Sequence, residues 1–275
     1  MSENTKKSIF MAYEELPPPP KQKRRQVVEL SGIDALRTLL WVRTVLRLAD
    51  AKPSNLLSKL VFQVERAEFA LYASAQRTPS STTLWAVEEA YPVKDKAARP
   101  LAGTRTIYEI GPSAMPLWSV LAGNQGACET LIDDYLARTL GTMKAVSFDK
   151  KVDAIYAVLF EPHEADAVKE MLAAQPTPHK FRYALLLYAA VIDKNTIYHP
   201  LLDDTDKSIH SNLELVIVLL AAWQLSYLFK TRYEETDYLM AAAVHILKGM
   251  IPEVKDEIDI WFRQDLEIKM TKRFG

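Results

Sequence analysis

A single cysteine, Cys128, serves a chain of 275 residues. No intramolecular disulfide can form, cysteine-based zinc sites are excluded, and a reducing compartment is expected. A lone thiol of this kind reads as a small buried apolar residue. Glycine is scarce too, at 8. Dinucleotide folds, phosphate loops and β-barrels use glycine at tight turns, so the shortage argues against all three. No GxSxG, GxxxxGKS/T or GxGxxG motif occurs. A Ser-His-Asp triad leaves no comparable trace, because its members meet only in space. The longest apolar runs are Tyr183 to Ile192 and Leu215 to Trp223. Both stop well short of the ~20 residues a membrane span needs and read as buried core helices, so no membrane partner is expected. No apolar stretch follows Lys6 and Lys7. That is unlike a secretory signal and makes a cytoplasmic location the expectation.

Hydrophobic residues make up 49% of the chain and charged residues 25%. A sizeable core is therefore available, and wholesale disorder is excluded. The net charge of −1 hides an uneven distribution. Residues 1–112 carry 17 Lys and Arg against 12 Asp and Glu, whereas residues 113–275 carry 17 against 23. A chain with such a dipole can attract a polyanion with one end or pack head to tail with copies of itself.

Residues 1–25 stand apart from the rest. Pro17, Pro18, Pro19 and Pro20 form an unbroken run, followed by Lys21, Lys23, Arg24 and Arg25. The proline run favours polyproline II, and the cations behind it have no apolar partner to fold on, so an extended arm is expected. Ile9, Phe10, Met11 and Tyr13 could anchor such an arm to a neighbouring subunit. The prolines could instead serve a polyproline-binding module, and the cations could tether nucleic acid.

The remaining 250 residues, 26–275, read as one all-α body of about ten helices. The first follows Ser31 as N-cap and is apolar nearly all round, from Ile33 to Leu48. A second follows Pro53 and Ser54, and a short third spans Thr83 to Tyr91. Residues 92–116 hold Pro92, Pro100, Pro112 and Pro116 and form the weakest helical stretch. Within it, Thr104 to Ile110 is expected as a short strand or extended connection, and a subdomain boundary is expected nearby. Helical spacing then recurs over 117–123, 127–140, 148–160, 163–174, 179–192, 211–229, 234–249 and 253–263. Residues 193–208 read as an acidic loop, and the basic stretch from Lys269 onward is expected to fray.

Three constellations could carry chemistry. Asp203, Asp204 and Asp206 lie between His199 and His210, a dense set of candidate Mg²⁺ or transition-metal ligands. The DDxxD motif of all-α isoprenoid synthases needs carboxylates one helical turn apart. Here its fifth position is Lys207, and Asp133-Asp134 offers no second copy. His163-Glu164-x-Asp166 lacks the second histidine of HExxH, since position 167 is Ala. Its acids suit the first turn of a helix after Pro162. The third constellation is basic and aromatic. Lys180, Arg182 and Tyr183 open one apolar helix, while Lys230, Arg232 and Tyr233 follow the next. Antiparallel packing would place both groups on one edge. Cations that track phosphates beside rings that stack on bases make a single-stranded nucleic-acid groove. Arg43 and Arg47, one turn apart on the first helix, form a further candidate strip. The competing explanation is that these cations merely solubilise the ends of buried helices.

These readings combine into an expectation of a non-enzymatic protein without a cofactor. It would assemble as a homo-oligomer through its arm and bind single-stranded nucleic acid, with single-stranded RNA the form expected, as a nucleoprotein or coat subunit does. The acidic C-terminal half argues against the nucleic-acid part. One alternative is a helical adaptor or effector that binds protein partners through the arm. The other is a divalent-metal enzyme built on Asp203, Asp204 and Asp206.

Overall fold

A computed structural model of the chain describes residues 32–49, 66–91, 103–141, 146–159 and 205–274. The described residues are all-α, with ten α-helices, two short 3-10 turns and no strand among them. In chain order the helices are α1 (Gly32–Leu48), α2 (Arg66–Ala73), α3 (Ser81–Ala90), α4 (Thr104–Glu109) and α5 (Leu117–Leu121). Then follow α6 (Gln125–Leu140), α7 (Phe148–Leu159), α8 (Thr205–Phe229), α9 (Tyr233–Met250) and α10 (Lys255–Phe274). The arm and the helices expected at 163–174 and 179–192 lie outside the described residues. Among the described residues no helix is long and apolar enough to cross a membrane.

The described residues fall into two compact units, one from those between 32 and 122 together with those from 248 onward, the other from those between 123 and 247. The first is organised around α1. Trp41 projects from its middle and meets Phe69, Tyr72 and Tyr108 with ring centroids 6.0–6.5 Å apart. The near edge-on angles to Tyr72 and Tyr108, 74° and 72°, suit the ring quadrupoles. Val42, Val45, Leu84 and Val87 complete this cluster. Burial pushes the Tyr72 hydroxyl above its ordinary pKa, and its 2.6 Å hydrogen bond to Glu68 adds to the effect. Tyr108 is raised for the same first reason, although Arg37, 4.7 Å above its ring, pulls the other way.

Residues 104–110 overturn the expected strand, because they form α4 and its C-cap. The β-branched residues suggested extension. Burial of Thr104 and Tyr108 decides otherwise, since α4 packs along α1. Trp118 then fastens the following turn by donating its indole N–H to the Ile107 carbonyl at 2.7 Å. The C-terminus also departs from expectation. α10 runs on to Phe274, with Lys269 paired to Asp265 one turn earlier at 2.6 Å.

The second unit is built on α8. From Leu213 to Leu225 nearly every side chain is buried, so this helix lies in the interior on all sides. α6 packs antiparallel along it, as the Arg138–Glu214 ion pair at one end and the approach of Gly123 to Gln224 at the other show. Asn124 caps α6 by accepting the Ala127 N–H at 3.0 Å, and Gly141 ends it with φ 86°. Cys128, Ile132 and Leu136 line its inner face, and the thiol is fully buried. α7 presents Val152, Ile155, Tyr156 and Leu159 at helical spacing and packs on α6. α8 begins at Thr205, six residues earlier than its apolar pattern alone suggested, so positions 206 and 210 fall on its first turns.

Candidate functional site

The basic–aromatic segment Lys230 to Tyr233 forms the corner between α8 and α9. Lys230 and Arg232 both take left-handed backbone conformations, with φ 57° and 55°. The alternation turns the chain sharply and lets α9 return along a new direction. Three bonds fasten the corner to α7. Thr231 donates to Asp149 at 3.0 Å, Arg232 meets Asp153 at 3.0 Å, and Tyr156 donates to the Glu235 carbonyl at 3.1 Å. Arg232 also pairs with Glu235. Burial opposes the charge of Arg232, but the carboxylates of Glu235 and Asp153 overcome it and hold the guanidinium above its ordinary pKa.

The tyrosine of this segment is equally committed. Tyr233 packs edge-on to Tyr227 with centroids 4.9 Å apart. Tyr227 in turn donates its hydroxyl to Asp237 at 3.0 Å, and Trp223 donates its indole N–H to the same carboxylate oxygen at 3.0 Å. Asp237 is 4% exposed, and Thr236 beside it bonds Ser226 at 2.7 Å. Of the expected rim residues in this segment, Lys230 alone is exposed outright.

Arg43 and Arg47 face carboxylates as well. Arg43 makes a bidentate pair with Glu257, at 2.9 and 2.6 Å, and reaches the Glu253 carbonyl. Arg47 meets the Glu253 carboxylate at 2.9 Å. Arg43 thus ties α1 to the first turn of α10, and Arg47 ties it to the 3-10 turn Pro252–Val254 just before. Phosphate would compete with carboxylates already in place at Arg43 and Arg232, and with the Glu253 carboxylate at Arg47, whose side chain is 68% exposed. Lys180, Arg182 and Tyr183 lie outside the described residues, as do Asp203 and Asp204 and the arm from Phe10 and Tyr13 to Arg25. Among the described residues no group of three His, Cys, Asp or Glu could hold a metal ion.

Two features escaped the sequence reading. A pocket of about 290 Å³ is lined by Glu129, Val146, Phe148, Lys151, Leu225 and Phe229. Phe148 and Phe229 pack at 5.3 Å, while the Lys151 ammonium is drawn to Asp133 at 2.5 Å. Nothing in the spacing of these residues signals that three helices bring them together.

The second feature lies in the other unit. Trp85 on α3 is 57% exposed, whereas Trp41, Trp118, Trp223 and Trp261 are each 9% exposed or less. The Arg105 guanidinium of α4 lies 3.9 Å from the Trp85 ring centroid. Arg105 also faces Glu88 at 3.4 Å and Glu109 at 3.7 Å. Helical periodicity carried a usable signal here. Leu84 and Val87 form the buried stripe of α3, and Trp85 lies about 100° off the first of them.

No family model matches the chain, and neither a curated protein nor a solved structure does so.

Proposed function

We propose that this chain is a non-enzymatic, self-assembling protein whose proline-rich basic arm makes the subunit contacts. The observation that supports this most directly is Trp85. Tryptophan is enriched among the residues that anchor protein–protein interfaces. Four of the five tryptophans follow the rule for cores, and this one does not. Single-stranded nucleic acid is the second part of the reading. It rests on the arm's cations and Lys230, since Arg43, Arg47 and Arg232 are engaged with carboxylates.

Size-exclusion chromatography with light scattering tests both parts at once, provided absorbance is followed for protein and nucleic acid together. The expected result is a mass several times the monomer that falls on dilution. Co-eluting nucleic-acid absorbance would support the second part. A monomer at every concentration would overturn the proposal.

A further inference from the structure

We infer that the Trp85 patch is the docking site for residues 17–25 of a second copy of this chain. This deepens the self-assembly reading and rests on it. The argument starts from complementary chemistry. The occupied surface would be α3 and α4, where Trp85, Glu88 and Glu89 share one side of α3 at spacings of three and four residues. Glu109 stands on α4, and Glu89 and Glu109 are both exposed. Among the described residues the patch holds three carboxylates against one cation, Arg105. The segment proposed to dock carries four prolines followed by four cations within five residues.

Each half of that segment meets its match. A polyproline II helix has three residues per turn, no internal hydrogen bonds and exposed carbonyls. Flat aromatic rings are the surfaces on which such helices settle, and an indole N–H is a donor their carbonyls accept. Arg105 covers one face of Trp85, so the exposure of the ring comes from its other face and edges. With Pro17 to Pro20 on that ring, the cations from Lys21 to Arg25 follow within the reach of Glu88, Glu89 and Glu109. Consecutive prolines have few backbone conformations to lose on binding, which suits a small site.

The full chain can be tested as it stands. Trp85 is the only well-exposed tryptophan of five, so acrylamide quenching of tryptophan fluorescence reports on it almost alone. Quenching should fall as protein concentration, and with it the mass by light scattering, rises. A synthetic peptide of residues 13–25 should dissociate the assembly. Trp85→Ala and Glu89→Lys should each weaken association by about tenfold, the loss expected for an aromatic anchor or a reversed contact charge. Glu89→Lys keeps the fluorescent reporter, and circular dichroism verifies that both variants fold.

An assembly that both variants form as readily as the wild type, with Trp85 open to quencher, would overturn the docking site and leave self-assembly standing. A monomer with Trp85 protected at every dilution would mean that the arm docks on its own chain, which overturns the exchange between copies. A monomer with Trp85 accessible would end both readings.

Discussion

At the scale of single residues, two glycines with similar backbone signatures should answer differently to substitution. Gly111 sits buried at φ 144°, and a Cβ built there would lie 2.3 Å from the Met115 carbonyl oxygen and 3.0 Å from the Leu117 side chain. Backbone cannot step aside as the end of a lysine can. Ser113 and Ala114, just beyond, already take φ 53° and 59°, so the turn has little slack left. Gly141 has φ 86° at the end of α6, but a Cβ there meets nothing within 4 Å. Gly141→Ala should therefore cost about 1 kcal/mol, the backbone penalty alone. Gly111→Ala should cost about 2 kcal/mol or more, because the steric clash adds to that penalty. Urea denaturation of the two variants measures the difference. Equal losses would mean that the chain around Gly111 yields more easily than its contacts imply.

At the scale of elements, the corner between α8 and α9 shows what basic and aromatic residues do there. Asp237 is buried beneath two donors, the Trp223 indole and the Tyr227 hydroxyl, and Tyr227 in turn supports the ring of Tyr233. Asp237→Ala would orphan a buried N–H and loosen the corner, at a cost of about 2–4 kcal/mol. Asp237→Asn keeps an acceptor oxygen and should lose about half as much. Thermal unfolding followed by circular dichroism would show it, and identical melting temperatures for the two variants would refute the network. The sequence made α8 and α9 legible as elements, because apolar spacing is a local property of the chain. It gave no sign that Arg232 would be consumed by Asp153, 79 positions away, or Arg43 by Glu257, 214 away. Ion pairs between distant segments have no local signature. The misread strand at Thr104 to Ile110 has a related cause, since β-branched residues state a preference that packing on α1 overrode. Trp85 was legible in principle, because the stripe of α3 excludes it.

At the scale of the whole molecule, the question is which cations remain to meet a polyanion. The body's arginine strip is bound into ion pairs between helices, whereas the arm concentrates Lys21, Lys23, Arg24 and Arg25 in five residues. Each phosphate neutralised on a single strand contributes about −0.7 to the slope of log affinity against log salt. Four arm cations should then set a slope of roughly −3 for binding to a single-stranded oligonucleotide. Replacing all four by glutamine should flatten it nearly to zero. Arg43→Gln with Arg47→Gln should leave that slope in place and lower the melting temperature instead, because it leaves Glu257 and Glu253 without their partners. Fluorescence anisotropy over a salt series, with a melting curve for each variant, separates the two outcomes. A slope that drops with the α1 pair and ignores the arm would return the site to the body. A wild-type affinity that ignores salt altogether would remove nucleic acid from the account and leave self-assembly to stand on Trp85 alone.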